Sequence, residues 1–171
     1  MKKHYSILIR YTILLALMFT LPLIYKILLP LTIYPVAGLL KIFYQISVHK
    51  DIIMIGFETP IQIISACIAG SAYLLLLILN LSVSMKTKQR IYSILLSFII
   101  LLLLNIFRIF ILAVLLVNDF QFFDFTHKLF WYVLSTIFVI GIWFLIVKIF
   151  SIKEIPVYTD LKYLSKEIKK K

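Results

Sequence analysis

Long, mostly uncharged runs of aliphatic and aromatic residues dominate the chain and constrain its fold more than any other feature. Hydrophobic residues make up 63% of the 171 residues, charged residues make up 15%, and the mean hydropathy is +1.09. A soluble domain of this size would need far more polar surface. A helix crosses the roughly 30 Å hydrocarbon core with about 20 apolar residues. Four runs approach or exceed that length, at residues 5–29, 61–85, 91–117 and 129–147. The sequence therefore predicts an all-α integral membrane protein with about four transmembrane helices.

The two ends of the chain differ in composition from the apolar runs. The first run follows Met-Lys-Lys, is longer than the apolar part of a signal peptide and lacks an Ala-x-Ala cleavage pattern, so we expect it to remain as an anchor. Residues 1–150 are expected to form a single membrane-embedded domain. Residues 151–171 are rich in lysine and are expected to form a cytoplasmic tail that contacts anionic membrane lipids. The net charge of +11 lacks an accompanying nucleic-acid motif, so nucleic acid is not an expected partner.

The distribution of basic residues predicts how the four spans are oriented. With the N-terminus inside, 13 of the 18 Lys and Arg residues and three of the seven acidic residues fall on the inner side. The net charge is then +10 inside and +1 outside. Because basic residues accumulate on the cytoplasmic side, both termini and the loop at residues 86–90 are expected on the cytoplasmic side of the cell membrane.

Two segments after the first run do not fit a simple span. Residues 31–48 are apolar but are interrupted by proline, glycine and polar side chains, so we expect an interfacial or re-entrant helix on the outer side. The β-branched run at residues 52–57 lies between polar clusters and predicts a short extracytoplasmic strand or hairpin. Pro60 is expected to start the helix that follows.

Three chemically distinctive residues are expected at one membrane face. At the α-helical rise of about 1.5 Å per residue, Cys67 lies about 28 Å from Lys86. Arg108 lies about 27 Å from Arg90 by the same count. His127 lies about 31 Å from Lys148 by the same count. A thiol, a fixed cation and an imidazole at the outer boundary together predict a cysteine nucleophile site facing the outside.

Each of the three residues also has a simpler interpretation. A lone cysteine in an apolar helix is usually a packing residue, although the small residues around Cys67 would let another helix or an extended peptide approach closely. Arg108 is costly among apolar residues unless it has a partner, and it could instead reach lipid phosphate. Asn105, three residues earlier, shares the face of Arg108 and is a supporting candidate.

His127 has a candidate partner in its own helix. Asp124, three residues earlier, could orient the imidazole if the helix already includes it. The histidines lack metal-ligand spacing, so neither a metal nor a cofactor is expected.

The ordered elements Ala66-Cys67 with nearby Gly70, then Asn105-x-x-Arg108, then His127, resemble the exosortase/archaeosortase family of membrane cysteine transpeptidases. The resemblance covers roughly residues 57–147 and suggests a short member. In the family's commonest form the glycine stands two residues after the cysteine, whereas Gly70 stands three after.

The resemblance implies an enzyme that acts on exported proteins bearing a C-terminal signal, namely a short motif, a transmembrane helix and a basic tail. Cys67 would be the nucleophile, Arg108 would stabilise the oxyanion, and His127 would move protons. An amine or water would resolve the acyl-enzyme, giving transpeptidation or proteolysis. The alternative is a small non-catalytic membrane protein, such as a transporter subunit or an assembly factor.

Overall fold

The chain forms a helical bundle that carries one small antiparallel sheet. The computed structural model describes residues 2–56, 59–83, 85–152 and 156. The N-terminal half contains α1 (Lys2–Leu17), a short 3-10 turn (Met18–Thr20), α2 (Leu21–Leu40), β1 (Ile46–His49), β2 (Ile52–Ile55) and β3 (Thr59–Gln62). The C-terminal half contains α3 (Ser65–Ile68), α4 (Gly70–Ser82), α5 (Thr87–Val117), α6 (Phe123–Leu129), a wide π turn (Phe130–Leu134) and α7 (Ser135–Ile149).

Four helical stretches of the described chain are long and apolar enough to cross a membrane. They are Tyr11–Leu40, Ser65–Ser82, Thr87–Val117 and Phe123–Ile149. Large apolar side chains are exposed along all four, as expected for helices whose solvent is lipid rather than water. The described chain therefore has the expected four helices that are long and apolar enough to span a membrane. Of the expected tail at residues 151–171, residues 153–155 and 157–171 lie outside the described residues.

The expected interfacial helix at residues 31–48 is wrong in its boundaries. Residues 31–40 continue α2 through Pro30 and Pro35, and residues 46–48 belong to β1. Tertiary packing outweighs the helix-breaking tendency of proline, because Val36 and Leu40 on this half of α2 are fully buried in the core. The first candidate span is consequently displaced toward the C-terminus.

The expected extended segment is present and is larger than the sequence indicated. The strands lie in the order β1-β2-β3, with Ile46 opposite Ile55 and Ile52 opposite Gln62. Pro60 was expected to start the next helix. This prediction is wrong, because Pro60 lies in β3. β3 is an edge strand, and there proline's missing N–H is tolerated.

The sheet is fixed to the bundle on one face and braced at its turn. Ile53 and Ile55 of β2 are buried in the main core. The Gln62 side-chain amide donates a 2.9 Å hydrogen bond to Asp51 Oδ2 and holds the pKa of that carboxyl below its usual range. Because the sheet joins the end of α2 to the start of α3, it lies at the same end of the bundle as Cys67.

A second polar cluster joins α4 to α5 at the opposite end of α4. Asn80 Nδ2 donates to the Leu76 carbonyl at 2.8 Å, and the Ser93 hydroxyl donates to Asn80 Oδ1. Arg90 Nη2 donates to the Val83 carbonyl at 2.8 Å. The other end of α5 packs against α3 and α7.

Candidate functional site

The site is built on a break in the helix that carries Cys67. α3 ends at Ile68, Ala69 adopts the left-handed conformation (φ 58°, ψ 33°), and α4 begins at Gly70. A left-handed alanine costs about 1–2 kcal/mol. The break redirects the carbonyls of Cys67 and Ile68 away from a continuous helical ladder, so other donors must satisfy them.

Asn105 supplies one of those donors. Its Nδ2 donates to the Cys67 carbonyl at 2.9 Å and, more weakly, to the Ile68 carbonyl at 3.4 Å. Asn105 itself is buried, with 2% of its surface exposed. A buried amide with a specific backbone partner fixes the position of α3 against α5.

Arg108, one turn further along α5, joins three helical segments. It is 7% exposed, its Nη2 donates to the Cys67 carbonyl at 3.1 Å, and its Nη1 donates to Ser135 Oγ at 2.8 Å. Ser135 Oγ in turn donates to the Phe130 carbonyl at 2.9 Å across the wide turn. The structure thus brings Cys67, Asn105 and Arg108 together, as the sequence predicted, and adds Ser135.

The contact between Arg108 and Cys67 is made at the backbone carbonyl of the cysteine. The thiol itself belongs to a half-buried residue one peptide unit from that carbonyl's hydrogen bonds. A fixed cation in this setting can stabilise negative charge that develops on sulfur or on a carbonyl oxygen.

His127 lies further along the same side, on α6. Its ring stacks on Phe123 at 5.8 Å between centroids and meets the edge of Trp131 at 6.2 Å. Within the described chain, hydrogen bonds join His127 to neither Cys67 nor Arg108, and Asp124 is exposed without a described bond to the imidazole. Trp131 connects His127 to the site, because its ring contacts the imidazole and also lines the cavity beside Arg108.

A cavity of about 470 Å³ opens beside the helix break. Small side chains on α3 and α4 leave this space, and larger ones close it on the other sides. Its lining consists of Tyr25, Ser65, Ala66, Ala69, Ser71, Ala72, Arg108, Trp131 and Ser135. A peptide backbone placed there would lie against both the cysteine segment and the arginine.

Three lining residues were not anticipated from the sequence. Ser135 carries a hydroxyl in an otherwise apolar run, which the sequence shows. Such hydroxyls usually bond within their own helix, so this one did not indicate a site residue. Tyr25 and Trp131 carry no comparable signal, because aromatic residues are common throughout the apolar runs.

The donor set around the site is not that of a metal centre. Among the described residues, no three His, Cys, Asp or Glu side chains are grouped so that they could hold a metal ion. The polar groups that meet at the break are instead an amide, a guanidinium and a hydroxyl.

No family model, curated protein or solved structure matches the chain. Function is therefore inferred from the residues and geometry of the site.

Proposed function

We propose that the chain is a membrane-embedded cysteine protease or transpeptidase of the exosortase type. It cleaves a C-terminal sorting signal of exported proteins at the extracytoplasmic face of the cell membrane and transfers or releases them. The observation that supports this most strongly is the placement of buried Arg108 against the Cys67 segment, beside a cavity lined by small residues. A charge this deep in apolar helices marks a functional site by default.

In the proposed reaction, His127 takes the proton of the Cys67 thiol, and the sulfur attacks the carbonyl carbon of the scissile peptide bond. A C–S bond forms, negative charge collects on the carbonyl oxygen, and Arg108 stabilises that oxygen. The C–N bond then breaks, and the departing amine takes a proton from His127. An amine or water then attacks the thioester carbonyl and gives a proton to His127. The C–S bond breaks, and the proton passes from His127 to the sulfur, which restores the thiol.

Arg108 has donors available for this task. A guanidinium carries five N–H groups, and the two hydrogen bonds to Cys67 and Ser135 occupy only part of them. His127 acts next to the departing amine, on the side of the cavity formed by Trp131. The substrate therefore spans the space between the helix break and the wide turn.

The experiment is co-expression with an epitope-tagged exported protein that carries a short motif, a transmembrane helix and a basic tail. Wild type should shorten this protein, and Cys67→Ala at the same membrane level should not. Ser47→Ala, at an exposed position of β1 that does not line the cavity, is the control and should retain processing. Undiminished processing by Cys67→Ala would rule out the cysteine mechanism. The product mass distinguishes transfer to an amine from hydrolysis.

One observation favours the alternative of a non-catalytic membrane protein. Asn105 and Arg108 both donate to the Cys67 carbonyl, which is also what a purely structural clasp at a helix break would do. An impermeant thiol reagent separates the two functions. An activated surface nucleophile should react from outside faster than a reference thiol, and a packing cysteine should not.

A further inference from the structure

Tyr25 of α2 packs against the first residue of α4. Its half-buried ring lies where a Cβ on Gly70 would stand, so any side chain there would overlap the ring. Gly70 directly follows the left-handed Ala69. The helix break and the glycine together create the space that the tyrosine ring occupies.

Two cavities share Tyr25 as part of their walls. The reaction cavity is the 470 Å³ space that contains Arg108. The mouth cavity, about 490 Å³, lies toward the sheet and includes Lys26, Lys50, Asp51 and Gln62. Only Tyr25 and Ser65 contribute to both among the described lining residues.

Both cavities therefore border the same large ring and the same small hydroxyl-bearing side chain. A peptide that runs from the charged mouth cavity to Arg108 has to cross beside them. Because Tyr25 is held against Gly70, its ring cannot move toward α4 to widen this passage.

We propose that Tyr25 is a specificity-determining residue that limits the size of the substrate side chain at the point where the peptide crosses between the cavities. This inference rests on the proposed peptide-cleaving function. Glycine, alanine and serine fit at the crossing position, and leucine or phenylalanine is rejected. Removing the ring joins the two cavities and abolishes this discrimination.

The first test measures access and needs no catalysis. Ala66, which lines only the reaction cavity of the two, is changed to cysteine in a Cys67→Ala background. Membrane vesicles are labelled from the outside with a small hydrophilic maleimide and with a bulky polyethylene-glycol maleimide. Tyr25→Ala should raise the rate for the bulky reagent roughly tenfold or more, the scale of size discrimination in enzyme pockets. Tyr25→Phe should leave that rate unchanged.

Leu23→Ala, an exposed position on the same helix, controls for general loosening of α2 and should behave as the parent. Tyr25→Leu serves as a second variant if the alanine variant does not accumulate, and it should give a smaller increase of the same sign. Equal bulky-reagent rates with and without the ring would overturn the proposal.

The second test measures substrate preference with the tagged exported protein. Each residue around the observed cleavage site is changed in turn to alanine and to phenylalanine. Wild type should process one phenylalanine form roughly tenfold more slowly than its alanine form, and Tyr25→Ala should remove that difference. A preference that persists without the ring would refute the specificity role. Processing that survives Cys67→Ala would refute the proposed function instead, while the labelling result would still stand.

Discussion

Replacement of Arg108 by lysine separates a catalytic arginine from one that only holds the helix break in place. Arginine places two nitrogens in one plane, one on the Cys67 carbonyl and one on Ser135 Oγ. The lysine ammonium keeps the charge but has a single nitrogen, which cannot occupy both donor positions. At least one charge-assisted hydrogen bond is therefore lost in the variant.

The size of the effect follows from that loss. A hydrogen bond to a charged group contributes about 1.5–3 kcal/mol. An ammonium held at one of these contacts is not also placed to donate to the oxyanion. At about 1.4 kcal/mol per tenfold in rate, loss of one such bond from the transition state slows the reaction roughly 10- to 150-fold. Loss of an oxyanion donor alone typically lowers the rate about 100- to 1,000-fold. We expect Arg108→Lys to reach the membrane normally and to process substrate at least tens of times more slowly, on the same scale.

The assay is the initial rate of substrate shortening at matched membrane levels. Arg90→Lys is the matched control, because Arg90 lies on the same helix and also donates from Nη2 to a backbone carbonyl. The Nε atoms of both arginines are buried without a described hydrogen-bond partner. Arg90→Lys should process at nearly the wild-type rate. If Arg108→Lys does so too, Arg108 contributes only its charge, and the reasoning from its two donors is refuted.

Three further predictions concern the support of the site and its orientation. Ser135→Ala should slow processing roughly tenfold, because Arg108 Nη1 loses its acceptor; an unchanged rate would make the hydroxyl incidental. Asn105→Leu should lower the thermal stability of the detergent-solubilised protein, since the Cys67 carbonyl loses a buried donor worth about 1–3 kcal/mol; an unaltered unfolding temperature would contradict this. Reporter fusions after Lys50 and Asn118 should report an extracytoplasmic location and one at Lys88 a cytoplasmic location; a cytoplasmic signal at Lys50 would overturn the orientation.

The helices were predictable because their signal is spread over many residues. A run such as 91–117 is apolar over most of its length, so a few polar residues do not change its assignment as a helix that can span a membrane. The third strand was not predictable, because Pro60 normally argues against a strand and the exception applies only at an edge. The continuation of α2 past Pro30 depends on contacts with distant helices, which the sequence does not display.

The candidate site was predictable in its residue types but not in its geometry. Asn105 and Arg108 share a helical face, so their proximity follows from their spacing. The left-handed Ala69 could not be foreseen, because this conformation is expected of glycine, and Gly70 stands right beside it. The wide turn at Phe130–Leu134 rotates Ser135 toward Arg108, and a regular helical count does not locate it there.

The order of synthesis leaves Arg108 without one of its partners for a time. Ser135 follows Arg108 by 27 residues, whereas Cys67 precedes it by 41. α5 therefore emerges from the ribosome with only the Cys67 carbonyl available to its guanidinium. An incompletely partnered cation is costly in a bilayer, so we expect α5 to be stable there only after α7 has been added. We expect chains that end before Ser135 to be removed from the membrane and degraded. Stable insertion of α5 would then depend on synthesis of the complete bundle.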